Sequence, residues 1–196
     1  MCRSPFLQAF PRLSHDTIPI DSLQGTVNNK LTLKMPLIIF VCTSNVCRSP
    51  ALAGLARAWL IANNRTDCEV ISRSLSTNYE PENSPPSEYS SSIMLSEYNI
   101  DISSHRSVLI TSKDVDCADV IIGVSASHSS YIIQKFPQAS KKCIAMPRDI
   151  PDPWHGPYEL YYACITTMHS MMDDLFLRID EVLAADSRQN GSVCNS

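Results

Sequence analysis

Residues 36–50 read PLIIFVCTSNVCRSP, and this stretch decides the predicted fold. Its first part, residues 36–41, is a continuous apolar and β-branched run, which is typical of a strand buried on both faces of a parallel sheet. A helix is expected to follow over residues 49–64, because Ser49 can cap it and Pro50 suits its first turn. The loop 42–48 therefore connects a buried strand directly to a helix.

The remainder of the chain continues this alternation of strands and helices. Further strands are predicted at residues 68–72, 119–124 and 142–145. Helices are predicted at 87–98, around 131–133 ending before Pro137, and as one long amphipathic helix over 158–185. This order indicates an α/β three-layer sandwich with a four-stranded parallel sheet covered on both faces. Ligands of such sheets bind at the carboxyl ends of the strands, which is where the loop 42–48 begins.

Composition restricts the classes of function. The net charge of −4 gives no bulk attraction to nucleic acid or to an anionic membrane. The sequence has no apolar run of about 20 residues and no signal-peptide core near its start, so no membrane association is expected. Eight cysteines occur without a C-x-x-C pair, which argues against zinc and favours reduced thiols in the cytoplasm.

Three regions are predicted along the chain. Residues 1–34 mix Pro, Ser, Asn and Asp without a clear period, and are expected to form a flexible N-terminal extension. The folded domain is expected to comprise residues 35–185. Residues 186–196 are polar and are expected to form a flexible C-terminal tail.

The loop 42–48 has the features of an anion site with a nucleophile at its mouth. Successive backbone N–H groups of a tight loop can surround an anion, and the following helix adds its positive N-terminal end. Arg48 adds a planar, bidentate donor for phosphate oxygens. The same positive field stabilises the thiolate of Cys42, which could attack phosphorus and form a thiophosphate. The predicted phosphate-binding residues are Thr43, Ser44, Asn45, Val46, Cys47, Arg48 and Ser49.

A second segment, residues 149–154, reads DIPDPW and supplies the other predicted site residues. Hydrolysis of a phosphate monoester needs an acid to protonate the leaving oxygen, and Asp152 between two prolines is the candidate. Asp149 is the local competitor for that role and is expected to be structural. Trp154 is predicted to stack on the substrate ring, with Tyr158 assisting.

The loop resembles that of the low-molecular-weight protein tyrosine phosphatases, which reads C-x-G-N-x-C-R-S-P. The matching residues are Cys42, Asn45, Cys47, Arg48, Ser49 and Pro50, and the likeness extends over residues 37–183. Residues 99–107 resemble the family's G-I-D-x-S-x-H segment, and the segment 152–154 its D-P-aromatic motif.

The resemblance implies a flavodoxin-like, phosphotyrosine phosphatase I-like fold. It implies that phosphotyrosine proteins and small aryl phosphates are hydrolysed through a cysteinyl-phosphate, with Cys42 as nucleophile, Arg48 binding phosphate and Asp152 as acid. It assigns His105 to bracing the loop asparagine, Asn45. It also implies a reversible disulfide between Cys42 and Cys47 that protects the nucleophile. No metal or other cofactor is implied, because Arg48 and backbone amides supply the positive charge.

The chain departs from the family pattern where it lacks glycine. Ser44, Ser74 and Asn99 stand at positions where the family usually has Gly. If the backbone at Ser44 requires a positive φ, serine there costs about 1–3 kcal/mol of strain or shifts the loop. These departures leave Cys42, Arg48 and Asp152 unchanged.

Three alternatives remain open at this stage. An arsenate reductase of this fold needs two further cysteines after the third strand, and residues 125–131 contain none. A phosphoarginine phosphatase would be suited by threonine before the second cysteine, whereas this chain has Val46, which better matches a phenyl ring. The third alternative is a catalytically weak phosphate-binding module, for which the acid Asp152 would have no use.

Overall fold

The structure is a computed structural model that describes residues 35–191. It contains a four-stranded, entirely parallel sheet in the order β2-β1-β3-β4. The strands are β1 (Leu37–Cys42), β2 (Glu69–Ser74), β3 (Val120–Gly123) and β4 (Cys143–Ala145). The predicted fold class is confirmed. The predicted extension, residues 1–34, lies outside the described residues.

Helices cover both faces of this sheet. They are α1 (Arg48–Ala62), α2 (Glu88–Tyr98), α3 (Ser112–Cys117), α4 (Ala126–Lys135), α5 (Tyr158–Ser170) and α6 (Met172–Gly191), with a 3₁₀ helix at Pro137–Lys141. Because side chains alternate along a strand, β1 contributes to two cores. Ile38 and Phe40 pack with α1, α2, α5 and α6, whereas Ile39 and Val41 pack with α3 and α4.

The central position of β1 places the loop 42–48 at the carboxyl edge of the sheet. Phe40 is paired with Ser72 on one side and with Ile122 on the other. Cys42, the last residue of β1, pairs with Ser74 of β2 and is 3% exposed. The nucleophile candidate is therefore held at the end of a strand that is buried from Ile38 onwards, and α1 begins six residues later at Arg48.

The prediction of one helix over residues 158–185 is wrong. The helix is interrupted at Met171 (φ −106°, ψ 6°), whose N–H donates to the carbonyl oxygen of Met168. The apolar pattern does not reveal this break, because Met168, Met171, Met172 and Leu175 are all buried. The second helix, α6, then continues past residue 185 to Gly191. The last residues of the predicted tail, 192–196, lie outside the described residues.

Two further details differ from the sequence prediction. Helix α1 begins at Arg48 with Cys47 as its N-cap residue and no side-chain cap, so the prediction that Ser49 caps it is wrong. Ser49 is fully buried and its hydroxyl turns to Cys42 instead. Helix α3 was not predicted, although Thr111 and Asp114 form a capping box at its start, with the spacing that this motif requires.

Candidate active site

A cavity of about 250 Å³ lies at the carboxyl end of β1. It brings together residues from the loop 42–48 and from the segment 149–154, which are far apart in the sequence. The residues that line it are Cys42, Thr43, Ser44, Val46, Cys47, Arg48, Tyr79, Asp152 and Trp154. Six of the predicted site residues of the loop thus line one cavity, together with the predicted acid and the predicted aromatic wall.

The sulfur of Cys42 is surrounded by hydrogen-bond donors. The N–H of Asn45 donates to Cys42 Sγ at 3.3 Å, and Ser49 Oγ lies 3.0 Å from the same sulfur. Ser49 Oγ also accepts a hydrogen bond from Asn45 Nδ2 at 2.8 Å, and its own hydrogen has two acceptors within reach, the sulfur at 3.0 Å and, further away, the carbonyl oxygen of Arg73 at 3.5 Å. Donors arranged in this way stabilise a thiolate.

Asn45 stabilises the conformation of the loop through hydrogen bonds of both its side chain and its backbone. Its backbone has φ 58°, the left-handed region that asparagine tolerates better than most residues. Its side chain accepts from the N–H of Val108 (3.1 Å) and donates to Ser72 Oγ (2.9 Å), and it is fully buried. Its carbonyl oxygen accepts from His105 Nε2 at 2.8 Å. Because a carbonyl oxygen only accepts, Nε2 of His105 carries a proton, and burial lowers the pKa of the ring.

The three positions that lack the family's glycine behave differently from one another. The positive φ of the loop lies at Asn45 and not at Ser44, so the conditional expectation of strain at Ser44 does not apply. Ser74 lies in β2, and its buried hydroxyl donates to the carbonyl oxygen of Val108 at 3.1 Å. Only Asn99 has a positive φ (55°), and it ends helix α2 in the left-handed conformation.

The guanidinium of Arg48 and the carboxylate of Asp152 form an ion pair beside the cavity. The Arg48 side chain is 6% exposed, and it also donates to the carbonyl oxygen of Ile150 at 3.2 Å. Asp152 is 46% exposed and accepts from the N–H of Trp154 at 3.2 Å. Asp149 lies elsewhere, since its carboxylate accepts from the N–H of Ala126 at the start of α4. Of the two aspartates, Asp152 is the one that faces the cavity.

Three comparisons with known proteins agree with a phosphate site at this cavity. Residues 37–188 match the family model described as low molecular weight phosphotyrosine protein phosphatase. A protein-arginine-phosphatase of Geobacillus stearothermophilus is 30% identical over 145 residues, which are 70% of this chain and 92% of that protein. The low molecular weight protein-tyrosine-phosphatase PtpA of Staphylococcus saprophyticus is 29% identical over 157 residues, which are 74% and 99% of the two chains.

The solved structures include a low molecular weight protein tyrosine phosphatase from T. tengcongensis, which superposes with a TM-score of 0.67. It is 28% identical and covers 73% of this chain and 99% of its own. The chain belongs to the low molecular weight phosphotyrosine protein phosphatase family. It is accordingly a phosphatase, and the predicted family resemblance is confirmed.

Two aromatic residues of this phosphatase are placed differently from the sequence prediction. Tyr158 is not among the described residues that line the cavity, and its ring packs edge-on to Tyr89 at 5.8 Å between centroids. Tyr79, which was not predicted, lines the cavity and is 67% exposed. Its loop has no motif that marks it in the sequence, so only the fold brings it to the site.

The second cysteine of the loop is buried beside helix α2. Cys47 Sγ lies 3.2 Å from Ser90 Oγ, and burial raises the pKa of the Cys47 thiol, so it is protonated. Cys42 and Cys47 are both free thiols in this structure. The regulatory disulfide between them stays a prediction.

The part of the chain that the structure describes has neither a candidate metal cluster nor a candidate membrane-spanning helix. In residues 35–191 there is no group of three or more histidine, cysteine or acidic side chains placed to hold a metal ion. None of the helices in that part of the chain is long and apolar enough to cross a membrane.

Proposed function

We propose that this phosphatase hydrolyses phosphotyrosine and small aryl phosphates through a phosphate ester of Cys42. The observation that carries the proposal is the meeting of three groups at one cavity: the thiol of Cys42, the guanidinium of Arg48 and the carboxylate of Asp152. A nucleophile, a cation for the phosphate oxygens and a proton donor are what this reaction needs.

In the first step, the thiolate of Cys42 attacks phosphorus and the bond from phosphorus to the aryl oxygen breaks. Arg48 and the backbone N–H groups of the loop neutralise the charge on the phosphate oxygens. The N–H of Asn45, which points at Cys42 Sγ, supports this inward direction of the loop amides. The bound phosphate takes the place of Asp152 on Arg48, and Asp152, protonated from solvent once it leaves that ion pair, gives its proton to the leaving oxygen.

In the second step, water attacks phosphorus and the bond from phosphorus to sulfur breaks. Asp152, now ionised, takes a proton from the water, and inorganic phosphate leaves. Ser49 assists by donating to the departing thiolate, which its 3.0 Å contact with Cys42 Sγ supports. Asn45 and His105 act as loop support, because they fix the backbone that aims these donors.

The walls of the cavity favour an aryl group. Val46 lines it as an apolar side chain, and Trp154 and Tyr79 add aromatic surface on which a phenyl ring can stack. The physiological partners are then phosphotyrosine proteins or small aryl phosphates. We further propose a cytoplasmic location, consistent with the free thiols, and a catalytic domain over residues 35–185.

A second candidate is hydrolysis of phosphoarginine. The relative from Geobacillus stearothermophilus, at 30% identity, is named a protein-arginine-phosphatase. Against this candidate stands Val46, whose isopropyl group offers no hydrogen bond to a guanidinium in the cavity wall.

The test is a comparison of one peptide sequence carrying either phosphotyrosine or phosphoarginine. We expect the wild type to have the higher kcat/KM on phosphotyrosine, with chelator present. Val46→Thr should raise kcat/KM on phosphoarginine relative to phosphotyrosine, and Val46→Ala, which removes volume without adding a hydroxyl, should not. A wild type that prefers phosphoarginine would overturn the first candidate in favour of the second.

A further inference from the structure

A row of hydrogen-bonded side chains outside the loop ends on Thr43, which lines the cavity. His128, in the first turn of α4, has its Nε2 3.1 Å from Thr43 Oγ1. Its other ring nitrogen, Nδ1, contacts Ser125 Oγ, which in turn lies 2.8 Å from Ser127 Oγ. The His128 residue is only 8% exposed, so protein groups rather than bulk solvent are the partners of both ring nitrogens.

The oxygen of Thr43 also accepts from the arginine of the site. Arg48 Nη2 donates to Thr43 Oγ1 at 3.4 Å, while the same nitrogen contacts Asp152. The Thr43 hydroxyl therefore links His128 to Arg48, whose guanidinium is proposed to bind phosphate. Burial, followed by the charge of Arg48, lowers the pKa of His128 to about 4, so its ring is neutral at neutral pH.

A neutral imidazole has one donor and one acceptor nitrogen, which leaves two arrangements of protons. If Nε2 carries the proton, Thr43 Oγ1 accepts from both His128 and Arg48, and its own hydrogen is left for the cavity. If Nδ1 carries the proton, the Thr43 hydrogen turns to His128 and the cavity receives only an oxygen lone pair. A phosphate anion needs donors, so it selects the first arrangement.

We propose that His128 is a positioning residue that turns the Thr43 hydroxyl into a hydrogen-bond donor for the phosphate group in the cavity. The inference rests on the proposed function, because it takes the cavity to be a phosphate site. In this arrangement Ser125, whose Oγ contacts His128 Nδ1, donates its hydrogen to that nitrogen and so keeps the proton of the ring on Nε2. The phosphate site thus depends on a side chain from α4 that lies outside the loop.

The test measures the affinity for inorganic phosphate by isothermal titration calorimetry, with Cys42→Ser as the parent so that no turnover interferes. In this parent we expect Thr43→Val and His128→Leu each to weaken phosphate binding about tenfold, the effect of losing one hydrogen bond to a charged group. Because His128 is proposed to act on phosphate only by orienting the Thr43 hydroxyl, the double variant should also be about tenfold weaker, rather than about 100-fold.

Three controls separate positioning from a general loss of structure. His128→Gln keeps an N–H near the position of Nε2, and Thr43→Ser keeps the hydroxyl, so both should bind phosphate about as well as the parent. His169→Leu removes a histidine of α5 that packs on Tyr98, and it should leave phosphate affinity unchanged. The kcat/KM for p-nitrophenyl phosphate is measured on the same variants with Cys42 intact.

The results separate this inference from the proposed function. Independent, multiplying effects of Thr43→Val and His128→Leu would overturn the inference, as would an unchanged affinity in His128→Leu. If the coupling is found but the enzyme with Cys42 intact hydrolyses no aryl phosphate, the inference stands and the proposed function fails. A parent that binds no phosphate would overturn both.

Discussion

The sulfur of Cys42 lies 3.0 Å from the hydroxyl oxygen of Ser49, seven residues further along the chain. Ser49 is the second residue of α1 and is fully buried, so this contact is fixed by the packing of the helix against β1. Asn45 Nδ2 donates to the same hydroxyl oxygen, and the sulfur at 3.0 Å is a nearer acceptor for the hydroxyl hydrogen than the carbonyl oxygen of Arg73 at 3.5 Å. The contact lowers the energy of a thiolate, the species that leaves when the phosphoenzyme breaks down.

Ser49→Ala should slow the second chemical step more than the first. Removing a donor to the departing thiolate is expected to reduce kcat about 10–100-fold, the effect of one hydrogen bond to a charged group. Stopped-flow measurement of p-nitrophenol release should then show a burst followed by a slow steady state. Ser91→Ala, a serine of α2 outside the cavity lining, is the control and should show wild-type kinetics. Equal slowing of burst and steady state would contradict this role.

Asp152→Asn should lower kcat/KM, which reports on the first chemical step alone, about 10²–10⁴-fold on phenyl phosphate, whose leaving group needs a proton. The loss should be smaller on 2,4-dinitrophenyl phosphate, because that leaving group departs as a stable anion. Asp149→Asn retains the oxygen that accepts from the N–H of Ala126, so it should stay close to wild type on both substrates. The same loss on both substrates would indicate that Asp152 acts on binding or structure instead.

Asn45→Ala should reduce both stability and kcat. The substitution removes side-chain bonds to Ser49, Ser72 and the N–H of Val108, and it places alanine at φ 58°. A loss of about 3 kcal/mol in the free energy of unfolding is expected, measured by urea titration. Asn64→Ala shares the unfavourable φ (54°) but lies outside the cavity lining, and it should cost about 1–2 kcal/mol with kcat unchanged. Equal costs in the two variants would contradict the bracing role of Asn45.

The stability of the fold should fall as the pH is lowered from about 6.5 to about 4. Burial lowers the pKa of His128 to about 4 from its usual 6.5, so in this window the unfolded chain binds a proton that the folded chain does not. The neutral His128 costs no stability above pH 6.5, and its effect lowers the free energy of unfolding by about 3 kcal/mol near pH 4. Urea titrations across this window should show a shallower pH dependence for His128→Gln. An unchanged slope in that variant would show that His128 titrates normally.

Local sequence patterns were sufficient for the sheet and for the loop. A continuous apolar run, a loop of fixed length and a helix signal are all properties of neighbouring residues, and they placed Cys42 and Arg48 at the carboxyl edge before any contact was known. The break at Met171 was missed because the residues on both sides of it are buried, so the apolar period runs through it unchanged. The helix start at Arg48 was missed because the Ser49 side chain contacts the sulfur of Cys42 and does not cap the first turn of α1.

Side chains that reach the site from distant segments were harder to predict from the sequence. Tyr79, which lines the cavity, lies in a loop after β2, and His128, which contacts Thr43, lies in α4. Nothing next to either residue in the sequence marks its place near the site. Tyr158 was expected near the substrate because it follows the segment 149–154, but its ring packs on Tyr89 instead. Spacing along the chain does not reveal where such side chains point, because their directions depend on how α2, α4 and α5 pack on the sheet.

The central claim is that phosphate is transferred to the sulfur of Cys42. The most direct test is mass spectrometry of peptides from the wild-type enzyme, quenched during turnover of p-nitrophenyl phosphate with chelator present. The account predicts one phosphoryl group on the peptide that contains Cys42, and no steady turnover by Cys42→Ser. Phosphate on a different residue, or steady turnover by Cys42→Ser, would contradict it.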